Sequence, residues 1–204
     1  MRFPGRRMNL RVLILFARAP RLGAVKRRLA AGIGARAALR FHVATLAATA
    51  RAVGRDRRWR TLVSVTPPGA RADWVGLLPR GVRRVAQPRG DLGQRMERAM
   101  RPFRFVLLAG SDIPGIRAAD IAAGFAALGR ADAVFGPAED GGYWLVGMGP
   151  RRPARPFAGV RWSTEHALAD TLRNFGGRRV AFVRRLRDVD TAEDLVALGA
   201  AARR

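Results

Sequence analysis

Four short segments of this 204-residue chain carry side chains able to do chemistry. The first, Ala17-Arg-Ala-Pro-Arg-Leu-Gly-Ala-Val-Lys-Arg-Arg-Leu29, sets Arg18, Arg21, Lys26, Arg27 and Arg28 where an apolar run gives way to a helical pattern. Backbone N–H groups, a helix N-terminus and cations converge there and suit a phosphate, although a basic loop on a basic protein has the same look. Lys26 is the only lysine among 39 basic residues, a compact point charge in a chain that otherwise writes its cations as arginine. The second, Ala109-Gly-Ser-Asp-Ile-Pro-Gly115, puts Ser111 and Asp112 directly after another apolar run. Asp112 can offer oxygen to a metal that bridges two phosphates, or the pair can cap a helix.

The third, Gly136-Pro-Ala-Glu-Asp-Gly-Gly-Tyr-Trp144, holds two carboxylates, two glycines and two aromatics. Glu139 or Asp140 is a candidate general base, Gly141 and Gly142 let a substrate approach the backbone, and Tyr143 and Trp144 can stack on a sugar or base. Asp140-Gly141 also fits a hairpin turn, which is compatible with either role. In the fourth, Leu186-Arg-Asp-Val-Asp-Thr-Ala-Glu-Asp-Leu195, Thr191 and Asp194 have the spacing of a capping box. Asp188 and Asp190 fall on one side of an extended strand, where either reads as a second metal ligand.

Composition narrows these options. The chain has no cysteine and two histidines, His42 and His166, which excludes disulfides, thiolate zinc sites, a cysteine nucleophile and a multi-histidine metal centre. A metal must therefore be held by oxygen, which favours Mg2+ or Mn2+. Neither G-x-x-x-x-G-K-[ST] nor a G-x-G-x-x-G turn is present. The net charge of +24 invites a nucleic-acid reading, but arginines spread over every helix and carboxylates in three of the four loops argue against that partner. The charge is uneven, with 16 basic and one acidic residue in positions 1–60, so an anionic ligand is drawn to the N-terminal quarter. No apolar run approaches the roughly 20 residues of a membrane span, and a cytoplasmic location is expected.

The elements that must position these residues alternate in type. Continuous apolar runs at Arg11–Ala17, Thr61–Thr66 and Phe105–Ala109 predict buried parallel strands, with further strands over 82–86, 132–135, 143–148 and 179–183. Helical spacing predicts helices over 25–31, 35–53, 73–78, 90–100, 117–128, 164–175 and 192–201. Such alternation implies a mostly parallel sheet covered on both faces, with ligands beyond the carboxyl ends of the strands. Residues 1–9 read as a loose tail, with Met8 as an alternative start, and residues 10–204 as one domain.

FARAPRLGAVKRRL, GSDIP, GPAEDGGYWLVG, WST and RDVDTAEDL, in this order, resemble the nucleotide-diphospho-sugar transferase superfamily. The likeness runs from about residue 10 to residue 198 and is nearest to a bacterial glycosyltransferase-like family associated by name with radical-SAM proteins and arsenosugar biosynthesis. It implies an α/β, three-layer α/β/α Rossmann-like GT-A fold with a mostly parallel central sheet. It implies that Arg18 and Lys26 meet the nucleotide's phosphates with Ser111 and Asp112, and that Asp112 and Asp190 hold the divalent metal. Substrates would be a nucleotide-sugar or nucleoside triphosphate and a small-molecule acceptor. Ala17-Arg-Ala-Pro replaces the G-G-x-G-x-R of many nucleotidyltransferases, which sets glycosyl transfer ahead of nucleotidyl transfer.

Overall fold

The computed structural model describes residues 10–67, 74 and 76–201. In chain order the elements are β1 (Arg11–Arg18), α1 (Arg27–Ile33), α2 (Ala35–Gly54), β2 (Arg60–Thr66), β3 (Arg83–Ala86), α3 (Leu92–Met100) and β4 (Phe105–Gly110). There follow α4 (Ala118–Ala127), β5 (Ala133–Pro137), β6 (Tyr143–Met148), α5 (Ala167–Arg173), β7 (Val180–Phe182) and α6 (Ala192–Ala201). The strands form one sheet in the order β3-β2-β1-β4-β6-β5-β7. All neighbouring pairs are parallel except those of β6, which runs antiparallel to both β4 and β5. The expected α/β architecture with a mostly parallel sheet is therefore present, and β6 is its exception.

Strand alternation explains the layers. In β1, Leu13 and Leu15 join Leu46, Ala50 and Val53 of α2 and Ile121 and Phe125 of α4 on one face of the sheet. Val12 and Ile14 join Met96 and Met100 of α3 and Phe175 on the other. A third, smaller cluster is decisive for the site: Leu29 of α1 and Ala38 of α2 pack on Val189, with Leu195 and Leu198 of α6 against them. Burying Val189 there pulls the segment that carries Asp188 and Asp190 onto the start of α1.

Helix boundaries differ from the periodicity where caps intervene. The helix expected over 25–31 starts at Arg27, because Lys26 takes a left-handed conformation (φ 47, ψ 49) that ends helical geometry. The helix expected from residue 90 starts at Leu92, since Asp91 caps it by accepting a 2.8 Å hydrogen bond from the Gln94 N–H. The one expected over 164–175 shortens to Ala167–Arg173. Ser163 has φ 60, and the Leu168 N–H donates outside the helix to the Gly141 carbonyl at 3.1 Å. The tail at 1–9, and in part the short helix at 73–78, lie outside the described residues. Among the described residues no helix is long and apolar enough to cross a membrane.

Candidate active site

After β1 the chain moves outward through β2 to β3, then returns to lay β4 on the other side of β1. This reversal opens a crevice at the carboxyl ends of β1 and β4, the place where open α/β sheets bind ligands. Arg18 ends β1, and the Ser111-Asp112 pair follows β4, tied back by the Ser111 N–H donating to the Phe16 carbonyl at 3.1 Å.

Lys26 comes to this crevice from the start of α1, with its side chain 4% exposed. Its Nζ donates to Asp112 Oδ2 and to Asp190 Oδ1, each at 2.9 Å. Arg28 stands 3.7 Å from the other Asp190 oxygen. The left-handed backbone at a non-glycine residue costs free energy, on the order of 1–3 kcal/mol, and is retained where the surroundings over-determine it. Burial pulls the Lys26 ammonium toward its neutral form, but the two carboxylates more than offset this and hold its pKa above the ordinary value. Desolvation pushes the Asp112 pKa upward, and the Lys26 ammonium more than reverses it, so the carboxyl is held below its ordinary value. Asp188, half-buried near Asp140 and Asp190, is pushed up to about 6 by burial first and by those carboxylates second.

His42 of α2 is buried beside the crevice, with Nε2 3.1 Å from the Arg18 carbonyl. A carbonyl can only accept, so Nε2 carries the proton and the buried Nδ1 is left without a partner among the described residues. Burial lowers the His42 pKa and keeps the ring neutral near pH 7.

A cavity of about 340 Å³ opens between the β1 and β4 ends and α3, lined by Phe16, Arg18, Gln87, Arg95, Ser111 and Asp112 among others. Its size lies within the range of small-molecule sites. The carboxylates of Asp112 and Asp190 converge on one point, now held by the Lys26 ammonium. Among the described residues no group of three His, Cys, Asp or Glu side chains is arranged to hold a metal ion. The donor chemistry fits a hard ion that shares these two carboxylates with phosphate oxygens of a ligand, since Mg2+ takes few protein ligands beside substrate.

Arg18, Lys26, Ser111, Asp112 and Asp190 thus gather at one rim of the sheet. The hairpin between β5 and β6 brings the third segment alongside, with Pro137 paired to Tyr143 and Asp140 near Asp188. Asp140 Oδ1 accepts the Gly142 N–H at 2.9 Å, and Glu139 is paired with Arg187 at 2.6 Å through Nε. Gly141 has φ 82, and a Cβ there would fall on the backbone of Glu165. Tyr143 lines the cavity, its ring edge-on to Phe135 at 5.4 Å. Trp144 also lines the cavity, but it is 2% exposed, its indole lies against Gly136 and its N–H donates to the Arg184 carbonyl at 3.0 Å, so its ring is packed instead of offered as a stacking platform. The pleat that turns Tyr143 to the cavity sends its neighbour into the opposite layer.

Sequence reasoning did not single out His42, Gln87 or Arg95. His42 was one histidine inside a helical repeat, and nothing in its spacing marked it. Gln87 and Arg95 flank Gly90-Asp91, a cap whose polar residues read as helix punctuation alone.

The α/β fold, with its mostly parallel seven-stranded sheet, matches nucleotide-diphospho-sugar transferase-like structural neighbours. The chain belongs to the family described as "Uncharacterized protein conserved in bacteria (DUF2064)", whose model matches residues 49–164. It is similar to a Desulfovibrio desulfuricans G20 protein provisionally named a nucleotide-diphospho-sugar transferase, with 27% identity and a TM-score of 0.84 over 92% of this chain and 85% of that one. The 4-diphosphocytidyl-2C-methyl-D-erythritol synthase of Anaerococcus prevotii DSM 20548 shares the fold at 12% identity and a TM-score of 0.60, over 96% and 99% of the chains. So does Rv0371c of Mycobacterium tuberculosis H37Rv, solved in complex with manganese, at 16% identity and a TM-score of 0.53, over 93% and 97%. No curated protein matches by sequence.

Proposed function

We propose that the protein is a metal-assisted glycosyltransferase that moves a sugar from a nucleoside diphosphate-sugar to a small-molecule acceptor. The structural neighbour similar at 27% identity carries a nucleotide-diphospho-sugar transferase name. The observation that carries the reading is the single lysine buried at the switch point between two carboxylates, 2.9 Å from each, beside Arg18. Departure of a nucleoside diphosphate develops charge on its terminal phosphate, and the principal need is preorganised positive charge at that point. Lys26 and Arg18 supply it.

Asp112 and Asp190 would hold Mg2+ or Mn2+, which when bound supplies Lewis-acid stabilisation of the leaving diphosphate. Ser111 orients the loop that presents Asp112. The hairpin loop of Asp140, Gly141, Gly142 and Tyr143 faces sugar and acceptor. Of the two candidate bases Asp140 is the better placed, because Glu139 is committed to Arg187 whereas Asp140 uses one oxygen in the turn. Residues 10–204 act as one domain in this reading, in the cytoplasm. The acceptor belongs to the small-molecule chemistry implied by the likeness to radical-SAM-associated, arsenosugar-type glycosyltransferases.

Nucleotidyl transfer to a phosphorylated small molecule is the second reading. It is favoured by Asp190, which meets Lys26 together with Asp112 at the same rim of the sheet. Incubation with sugar nucleotides and with nucleoside triphosphates, each with a phosphorylated or free acceptor and Mn2+, separates them. Release of nucleoside diphosphate supports glycosyl transfer, and release of pyrophosphate supports the second reading. Absence of both across the panel would reject the transferase site.

A further inference from the structure

The end of the cavity away from Asp112 is built around a side chain that has no part in the chemistry above. Gln87, the first residue beyond β3, is 7% exposed and fully committed. Its backbone N–H donates to the Val65 carbonyl at 2.8 Å. Its Nε2 donates to the carbonyls of Ser64, at 3.1 Å, and Ala17, at 3.4 Å. Both amide hydrogens are thus spent on strand ends, and flipping the amide would set its oxygen against two carbonyls. Oε1 therefore faces α3 and accepts from Arg95 Nη1 at 2.8 Å, while Arg95 Nε donates to the Asp91 carbonyl at 3.3 Å. The guanidinium is held in one orientation by neutral acceptors. Among the described residues no carboxylate pairs with it and nothing accepts from its Nη2, although Arg95 lines the cavity. The Asp91 carboxylate is turned away to cap α3.

Resting on the nucleotide reading of the site, we propose that Arg95, fixed by Gln87, reads the nucleobase and selects bases that carry a ring carbonyl over adenine. With the diphosphate at Arg18 and Asp112, a base laid along the cavity toward α3 passes Phe16, Leu92 and Met96, an apolar surround suited to a flat ring. It then meets a fork that can only donate. Guanine offers two adjacent acceptors, O6 and N7, and uracil and cytosine each offer a carbonyl oxygen. Adenine offers N7 alone on that edge, with an amino donor where guanine has O6, so a two-donor fork finds one acceptor and one opposing donor that is left unpaired. A phosphate would be a poorer occupant of this end, because the apolar walls give it few further donors.

Isothermal titration of the full chain with GDP, UDP, CDP and ADP, each with Mg2+, and with pyrophosphate as a base-free control, tests this. The wild type is expected to bind at least one carbonyl-bearing nucleotide about tenfold or more tighter than ADP, as sites built to hydrogen-bond a group reject the analogue lacking it. In Arg95→Met that preference falls to within about threefold, while pyrophosphate and ADP affinities stay near wild type. Gln87→Met, which frees the guanidinium without removing it, lowers the preference in the same direction with an unchanged circular dichroism spectrum. An equal loss for all five ligands in Arg95→Met would make Arg95 a phosphate contact and overturn the proposal. So would a preference that survives the substitution, or a wild type that favours ADP. Failure of every nucleotide to bind the wild type, with pyrophosphate bound, removes the nucleotide reading itself and the base reader with it.

Discussion

Two carboxylate clusters in this molecule are built from the same parts in opposite proportion. On α5, Asp170 has a side chain that is 2% exposed, and two arginines meet it: Arg161 at 2.8 Å through Nε, and Arg173. Arg161 Nη2 also donates, at 2.9 Å, and the Arg161 backbone N–H adds a further donor at 3.0 Å. Both arginine side chains lie mostly in solvent, so the anion is over-satisfied and the cations give up little hydration. At the crevice one lysine, itself buried, serves two carboxylates that are about 40% exposed, and the exposed Arg28 adds a more distant cation, 3.7 Å from Asp190. The first arrangement is complete without a ligand, and its surplus is positive and solvated. The second leaves negative charge facing a cavity, which is what a metal carrying phosphates would neutralise. The ratio of cation to anion, more than the presence of an ion pair, separates a fastening from a site.

The comparison breaks most sharply at Asp112. Asp112→Asn is expected to cut kcat/KM about 10²–10³-fold while the melting temperature moves by only a few degrees, a loss typical of removing one preorganised charge from a transition state. Parallel kinetics and thermal melts would check it, and near-wild-type turnover would reduce Asp112 to a structural partner of Lys26. Lys26→Arg tests the lysine itself. A planar fork cannot present one point charge to two carboxylates within the space Lys26 fills, so kcat/KM should fall about 10-fold to 10²-fold despite the conserved charge. At the other cluster the expectation reverses: Asp170→Asn should lower the melting temperature and leave kcat and KM unchanged. The Arg161 guanidinium and backbone N–H hold the Asp170 carboxyl well below the usual carboxylate range. A depressed folded pKa gives stability that is complete above the unfolded value of about 4 and is lost as the pH drops below it. Melts of wild type and Asp170→Asn should therefore differ at pH 7 and converge toward pH 2.

What was legible in the chain follows the same division. Buried strands such as β1 and β4 announce themselves as apolar runs, because both faces of a parallel strand are covered, and the loops after them follow from sheet geometry. Lys26 was legible through its rarity, and Asp112 through its place after a strand. Convergence was not legible. Lys26 and Asp190 are 164 residues apart, and they meet because Val189 is buried under Leu29 and Ala38, a packing event with no local signature. The antiparallel insertion of β6 was hidden for the same reason: a strand buried on both faces reads alike in either direction. Trp144 was misread because aromatic type was weighed without the pleat, which sets adjacent residues on opposite faces.

Among the substitutions that lower turnover, the smallest effect is expected at Gly141, where the substrate loop and the segment before α5 press backbone on backbone. Gly141 has φ 82, and its carbonyl accepts the Leu168 N–H at 3.1 Å, so the hairpin turn and the start of α5 are one unit. Adding a methyl group meets the Glu165 backbone, which has no flexible end to move aside. Gly141→Ala must therefore displace the turn, at a cost of about 1–2 kcal/mol for the left-handed backbone and the contact together. Asp140, which is anchored in that turn through Gly142, moves with it, whereas Lys26, Asp112 and Asp190 sit on other elements. The expected result is a fall in kcat of about tenfold, in line with the sensitivity of reactions to small misplacements of a positioned group, with nucleotide affinity intact. Loss of nucleotide affinity in step with kcat would join the hairpin to the phosphate site and blur the separation between the rim that holds the leaving group and the loop that faces the acceptor.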